Sequence, residues 1–532
     1  MSQVTASTPW KSLLRLCLAA ALLAIAAGAR NADWETVFSP LGICYLDPDA
    51  YVRMHRVRLL EQDPWHPIHR HAFDNAPEGC SSHYTAPLDY LLLASSLAFR
   101  PFYPDAIDRA GALLPPVLGL LFLLVFWGWS SRYFTGAGRL TGLAFLALSP
   151  PVARSFNLGF PDHQVLILLL AGYGLLRDYD FLAGARGRMA QFTGGLAWGM
   201  ALWVTLYEPA LLLSVSLLAS FSRVGKQIFF ERTGWWMGLA LALVCCAVIE
   251  RPLWIPPLDE DTRPVLSHFL SHVYELQQLG WLQACLWFGG WILMIPWVIC
   301  HGYRENRVTL QREIWWSCCV SVFLLLATLW QIRWGPLLAV ALGFFMIPLL
   351  FQHNSRSWKL AVSALLFFPI FSYHLRPPQA DLYTRDQPEL RQVARGIDAP
   401  GTVLSTWIHS PSLLYFSRQP IIASGVHTTV QGMLDGSLFF TEKQWLRARE
   451  ILIERQVRWI VIPSATEALA VSFELLDGAA PPASELSEDP SYRGCMAARL
   501  DSMQAVPPEL HLKSVVGRWK LYEFLPSVPQ AP

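Results

Sequence analysis

Four short stretches of this sequence carry residue types that could do chemistry together. Asp47 and Asp49 sit in Leu46-Asp47-Pro48-Asp49-Ala50-Tyr51, just beyond the first apolar segment. Asp162 and His163 lie in Gly159-Phe160-Pro161-Asp162-His163-Gln164, at the mouth of an apolar run. Glu275 closes Ser271-His272-Val273-Tyr274-Glu275, and Arg333 precedes a further apolar run that begins at Trp334. Asp49, Asp162 and Glu275 offer hard oxygen ligands of the kind Mg²⁺ or Mn²⁺ accepts at octahedral geometry. Arg333 offers a planar fork of donors that matches a phosphate. Each stretch also has a plain structural explanation. Asp47 and Asp162 are good helix N-caps, Asp49 a first-turn acid, Glu275 a solvated helix position and Arg333 an interfacial anchor. The set gains weight from its neighbours, because an ionisable group at a membrane span's centre costs about 2.5–3.5 kcal/mol and tends to be functional.

The elements that must position these residues are apolar. The chain has 532 residues, 53% hydrophobic and only 15% charged, with a mean hydropathy of +0.33. A soluble protein would carry about 25% charged residues. A formal charge of +1 gives no support for a nucleic-acid partner. The composition therefore predicts a polytopic α-helical membrane protein. Leu16–Ala29 opens it, as a retained first helix or a cleaved signal peptide; either one exports the long loop that begins at Arg30. Further spans are expected at Arg109–Trp129, Leu140–Val152, Gln164–Leu176, Phe192–Leu206, Ala210–Phe221 and Gly234–Ile249. Four more lie at Trp281–Cys300, Ile314–Trp330, Trp334–Phe351 and Leu360–Tyr373, giving about eleven and at most thirteen. Pro87–Phe99 is short and reads as a surface-lying or re-entrant helix.

Loop charge orients the bundle. With a cytoplasmic N-terminus, the inner loops hold Arg132 and Arg139; Arg177, Arg186 and Arg188; Arg223, Lys226 and Arg232; Arg304, Arg307 and Arg312; Arg356 and Lys359. The opposite short loops hold only Arg154, Arg251, Arg263 and Arg333. That is the positive-inside pattern, and it puts all four chemical stretches on the extracytoplasmic face of a multi-pass protein of the plasma (inner) membrane. Residues 1–375 then form the membrane domain, with 31–108 as its first external loop. Residues 376–532 form an extracytoplasmic α/β domain, with strands at Thr402–Trp407, Gln419–Ser424, Val457–Pro463 and Trp519–Phe524 around a helix at Glu442–Arg455. If that face is oxidising, Cys44 and Cys80 could form a disulfide. Arg53, Arg56 and Arg58 could hold lipid phosphates or mark a basic helix at the interface. His66, His69, His71 and His83 cluster in the first loop, but Pro67 breaks the helix that would align zinc ligands.

The order of these motifs resembles the catalytic subunit of oligosaccharyltransferases, in the GT-C superfamily of membrane glycosyltransferases. Pro48-Asp49-Ala50-Tyr51 matches that family's first-loop acid, and Gly159-Phe160-Pro161-Asp162-His163-Gln164 its G-x-Y-D-x-D/E motif. Ser271-His272-Val273-Tyr274-Glu275 is similar to its S-x-x-E element with one residue added, and Arg333 to its helix-mouth arginine. The family's second motif acid falls on Gln164. Its W-W-D-Y-G acceptor motif falls near Ser405-Thr406-Trp407-Ile408-His409-Ser410, where only a Trp matches. The resemblance implies a GT-C-like transferase that takes a sugar or oligosaccharide from a polyprenyl-phosphate or -pyrophosphate donor. Asp49, Asp162 and Glu275 would hold the metal and organise the acceptor, with Asp49 as base. Arg333 would meet the donor phosphate, and Asp47, His163, Trp407 and His409 would contact substrates. The acceptor would be a protein, a lipid or a glycan, and membrane lipids would be further partners. Two alternatives stand beside it: a GT-C enzyme that uses a lipid-monophosphate sugar to modify a lipid or glycan, and a non-enzymatic transporter or lipid-binding scaffold.

Overall fold

The computed structural model describes residues 9–250, 259–290, 312–353, 363, 365–372 and 382–526. The second part of the expected span Trp281–Cys300 and the edges of Leu360–Tyr373 lie outside the described residues. So do Arg304, Arg307, Arg356 and Lys359. The chain forms two compact units. One comprises 1–34, 112–249 and 277–379; the other comprises 35–111, 250–276 and 380–532. The second unit therefore takes in the first loop and a central segment as well as the tail, a grouping that a single cut near residue 376 does not produce.

Six helices frame the sites: α1 (Pro9–Arg30), α2 (Pro48–Gln62), α3 (Ala106–Ser130), α4 (Gln164–Leu182), α5 (Tyr207–Val224) and α6 (Arg312–Trp330). In the first unit, α1, α3, α6 and Ile332–Leu349 are long and apolar enough to cross a membrane. The span expected at Leu140–Val152 is interrupted: one helix ends at Leu148 and another starts at Pro150. Pro150-Pro151 removes two backbone donors, and Ser149 turns out of helical geometry at ψ 119°. Arg188–Val204 and Thr233–Ile249 pack through glycines. A Cβ on Gly195 would lie 1.8 Å from the Trp235 carbonyl oxygen, and one on Gly238 2.1 Å from that of Phe192. Such close backbone approach is how apolar helices associate when lipid removes the hydrophobic drive between them.

Charge inside this unit is met by a counter-charge or by backbone carbonyls: Arg30, 0% exposed, donates to the carbonyl oxygens of Ala26 and Ala147. Arg232, placed by sequence in a cytoplasmic loop, is fully buried on Asp178. Asp178 also accepts from Trp198 Nε1 at 3.1 Å and from Ser216 Oγ at 2.7 Å.

The second unit is built on a four-stranded sheet of β1 (Thr402–Leu404), β2 (Val457–Ile462), β3 (Leu510–Val516) and β4 (Trp519–Phe524), in the order β1-β2-β4-β3. β1 and β2 run parallel; the other pairs are antiparallel. Alternation sets the layers, since successive side chains of a strand point to opposite faces. Trp459, Val461, Trp519 and Leu521 pack with Val52, Leu390 and Leu413 in one core. Ile460, Ile462, Tyr522 and Phe524 pack with Leu404, Ile422 and Leu469 in the other. The strand expected at Gln419–Ser424 is a single bridge from Ile421 to Val403. Strand β3, which sequence missed, returns to β4 through Gly517 at φ +56°.

Salt bridges join the helices of the first loop to one another and to the start of α3. Arg53 and Arg56, expected to face lipid phosphates or the interface, are instead 2% and 1% exposed and share Asp89. Arg58 pairs with Asp108. Pro87–Phe99 forms the helix Ala86–Ser96. Cys44 and Cys80 are both free thiols, so the expected disulfide is not formed.

Asp178→Ala should strip Arg232 of its counter-ion. Breaking a buried pair in this way costs about 3–5 kcal/mol. The expected outcome is loss of folded protein in detergent, measured by size-exclusion chromatography after heating.

Candidate functional site

The carboxylates singled out by sequence fall in both units: Asp162 in the first, together with Arg333, and Asp47, Asp49 and Glu275 in the second. In the first unit, Gly159 turns the chain at φ +73° while its amide donates to the Ala112 carbonyl oxygen at 3.0 Å. This turn delivers Asp162 to the start of α4, 6% exposed. One Asp162 oxygen accepts the Gln164 amide at 3.3 Å, so the residue does cap the helix. The other lies 2.5 Å from His163 Nδ1. The cap and the imidazole contact use different oxygens, so the structural and chemical readings of Asp162 are compatible.

Arg333 sits in the 3-10 turn Ile332–Trp334. Its Nε donates to Glu208 Oε1 at 2.6 Å, and a terminal nitrogen reaches the same oxygen. The guanidinium also lies over the Tyr207 ring, 5.1 Å from its centroid, and the Tyr207 hydroxyl donates to Gln331 Oε1. Glu208 is 3% exposed, and its Oε2 has no hydrogen-bond partner among the described residues. Gln164, Glu208 and Arg333 line one cavity of about 10 Å³, near the lower limit for one water. The motif position whose acid is replaced by Gln164 thus has a carboxylate beside it, supplied by another helix.

Sequence reasoning missed Glu208. Its signal was an acid in the first turn of an apolar helix, in Tyr207-Glu208-Pro209, which is costly unless used.

In the second unit, Asp47 occupies the N-cap of α2 with Pro48 at the first helical position, but its side chain makes no capping hydrogen bond. The cap explanation accounts for its position and not for its carboxylate. Asp49 lies in the first turn, and both acids are half-buried. Burial, and then the charges of Asp47 and Asp49, hold the Tyr383 phenol well above its ordinary range. The Tyr383 ring stacks on His409 at 5.9 Å and 13°, which brings two sequence-predicted positions, the acid pair and His409, around one tyrosine.

His409 is 2% exposed, with Nε2 2.7 Å from Glu467 Oε1 and Nδ1 without a hydrogen-bond partner among the described residues. Glu467 and Asp386 are bridged in turn by Arg518. Trp407 stands edge-on to Phe269 at 5.3 Å. Ser405 Oγ, Thr406 Oγ1 and Trp407 Nε1 are buried without hydrogen-bond partners among the described residues, and all three residues line a second cavity of about 10 Å³. Glu275 is half-buried in the 3-10 turn Tyr274–Leu276. Ser271 of the same stretch bonds the His268 carbonyl oxygen at 2.7 Å.

The first-loop histidines separate. His66 is exposed on Asp63, and His69 lies 3.7 Å from Glu250. His71, Asp74 and Cys80 are buried with donor atoms within 4.8 Å of one another. They do not suit a metal. Arg56 donates to His71 Nε2 at 2.7 Å, which leaves the proton of the neutral ring on its other nitrogen and a cation beside it. Asp74 accepts from the Asn75 amide and from the Ser424 amide and hydroxyl. Burial lifts its carboxyl to about 6, and burial with the Asp74 charge pushes the Cys80 thiol up to about 12. The cluster is a hydrogen-bonded tie between the first loop and the tail.

No family model matches this sequence, and no curated protein does. Solved structures do. The oligosaccharyltransferase AglB from Archaeoglobus fulgidus, in complex with an inhibitory peptide and a dolichol-phosphate, is 14% identical with a TM-score of 0.67 over 95% of this chain and 80% of that one. An Archaeoglobus fulgidus oligosaccharyltransferase in its apo form gives a TM-score of 0.69 at 12% identity with the same coverage. ArnT from Cupriavidus metallidurans bound to undecaprenyl phosphate is 12% identical with a TM-score of 0.43, over 97% and 98% of the two chains. The fold is GT-C-like, similar to that of the archaeal oligosaccharyltransferase.

Proposed function

We propose that this protein is a membrane glycosyltransferase that moves a sugar or oligosaccharide from a polyprenyl-phosphate or -pyrophosphate donor to an acceptor on the extracytoplasmic face. The observation that carries it is the gathering of Asp162, His163, Gln164, Glu208 and Arg333 at helix mouths of the first unit. Support comes from the likeness to an archaeal enzyme solved with a dolichol-phosphate. In the reaction, an acceptor atom bonds to the anomeric carbon of the sugar. The bond from that carbon to the lipid phosphate oxygen breaks, and the acceptor's proton passes to Asp49. Arg333 meets the negative charge that grows on the leaving phosphate, and Glu208 fixes the plane of its guanidinium.

Asp49, Asp162 and Glu275 supply only hard oxygen donors, which fit Mg²⁺ or Mn²⁺; such an ion would act as a Lewis acid on the phosphate. The archaeal enzyme has been solved in a complex with Zn and sulfate. Asp47 and His163 flank these positions in sequence and are assigned substrate contacts.

A second reading concerns the acceptor. Ser405-Thr406-Trp407 and His409 stand where the resembling family has its acceptor motif, without that motif's Asp and Tyr. The missing Asp and Tyr favour an acceptor other than an Asn-x-Ser/Thr peptide, and leave a lipid or glycan acceptor with a lipid-monophosphate donor as the alternative.

Asp49→Ala and Asp162→Ala should leave expression intact and lower divalent-dependent sugar transfer in membranes by about 10²–10⁴-fold. Full transfer by both variants would sink the assignment. Glu208→Gln should lower transfer by about tenfold while raising KM for the lipid donor, since a charged hydrogen bond is worth about 1.5–3 kcal/mol. An unchanged KM would remove Glu208 from the site. Cysteine labelling at Ser271 and Glu275 should report the extracytoplasmic face; Ser410, also assigned to that face, is buried.

A further inference from the structure

Far along α4 from Asp162, the first unit has a groove of a different kind. A cavity of about 230 Å³ opens between α3 and α4, lined by Leu124, Gly128, Trp129, Arg132, Tyr173 and Arg177 among others. Arg177 lies thirteen residues beyond Gln164, which at 1.5 Å per residue is roughly 20 Å along the helix axis. The groove is therefore separate from Asp162 and Arg333.

One end of the groove is cationic. The Arg132 side chain is 60% exposed and the Arg177 side chain 19%. They share one carboxylate, Asp180, which Arg177 meets at 2.7 Å and Arg132 only at 3.9 Å. Asp180 is already well served, accepting from Trp129 Nε1 at 2.8 Å and the Tyr133 hydroxyl at 2.6 Å. Two guanidiniums against one carboxylate leave a net positive charge. In addition, Arg177 Nε is buried with no hydrogen-bond partner among the described residues. The site thus has donor capacity and charge beyond what Asp180 uses.

The other end is an apolar track. Val117, Leu121 and Leu124 are 57%, 46% and 50% exposed. Their spacing of four and three residues puts them on one face of α3. Gly128 continues that face, and a Cβ built there meets nothing within 4 Å. From Gly128 back to Val117 the track runs for roughly 16 Å at 1.5 Å per residue, long enough for most of an acyl chain. A cationic head beside an apolar track matches the shape and charge of an acidic phospholipid, for which basic pockets between spanning helices are a known kind of receptor.

We infer that this groove binds one acidic phospholipid, its phosphate on Arg132 and Arg177 and one acyl chain along Val117–Gly128. The inference rests on the first unit spanning a membrane and is independent of sugar transfer.

The test uses the full chain purified in detergent, with native mass spectrometry against phosphatidylglycerol and phosphatidylcholine of identical acyl chains. One phosphatidylglycerol should be retained at least tenfold more strongly than phosphatidylcholine, and it should raise the melting temperature. Two variants probe the two ends. Arg132→Ala removes an exposed cation, and Gly128→Phe fills the open space while leaving both arginines in place. Each should lower phosphatidylglycerol retention about tenfold without changing the lipid-free melting temperature or transfer activity. Equal retention of the two lipids, or undiminished retention by both variants, would overturn the inference. Displacement of the lipid by millimolar inorganic phosphate would overturn it too, by showing a site for the free anion.

Discussion

A charge held inside an apolar bundle must meet a counter-charge or, like Arg30, a set of carbonyl oxygens there, and the first unit is organised by that requirement. Asp178 and Arg232 are essentially unexposed and joined, Glu208 holds Arg333, and Asp180 gathers an indole, a phenol and two guanidiniums. Each of these carboxylates ties together helices distant in sequence, so the pairs fix which helices are neighbours. Glycine contacts such as Gly195 on Trp235 set how close those neighbours stand. The pairs fix register and glycine fixes spacing; the residues at the helix mouths inherit their positions from both.

The second unit solves the same problem with more polar means. In its first loop Arg56 alone reaches Asp89, His71, Ser82 and the Ile68 carbonyl. One buried guanidinium thereby braces the short strand pair of Arg70–His71 and Cys80–Ser81 against α2. Beside it, α2 presents Asp47 and Asp49, and the tail contributes Tyr383 and His409. The acid pair owes its surroundings to residues more than three hundred positions away. This is why a division of the chain near residue 376 follows composition but not packing.

Composition and hydropathy made much of the fold legible. Long apolar helices, the helix mouth at Asp162, strand β2 and strand β4 follow from periodicity and turn residues. The misses have physical causes. Leu140–Val152 reads as one apolar run, and only the proline pair breaks it. Gln419–Ser424 has strand-like residues, yet Ile422 and Ala423 are buried by a core and not by a ladder. Strand β3 carries His511, Lys513 and Ser514 among its apolar residues, a pattern without clean alternation. At the site, the acids that stand in recognisable motifs were found. Glu208 was not, because its meaning lies in Arg333, which is 125 positions away. The buried arginines of the first loop misled for a similar reason, since nothing local shows that Asp89 will receive them.

The sheet's two edges are treated differently, and that has a bearing on how the protein behaves in company. At β1 the edge is occupied: the Val403 amide donates to the Pro420 carbonyl oxygen, and the Ile422 amide donates to that of Val403. At β3 the edge is not covered by another strand among the described residues, and Leu512 and Val515 are 43% and 50% exposed. Between them stands Lys513, tied to Glu523 of β4 at 3.0 Å. A lysine on an edge strand makes strand addition by a second molecule costly. Lys513 therefore makes the open edge of β3 a poor template for a strand from a second copy of the chain.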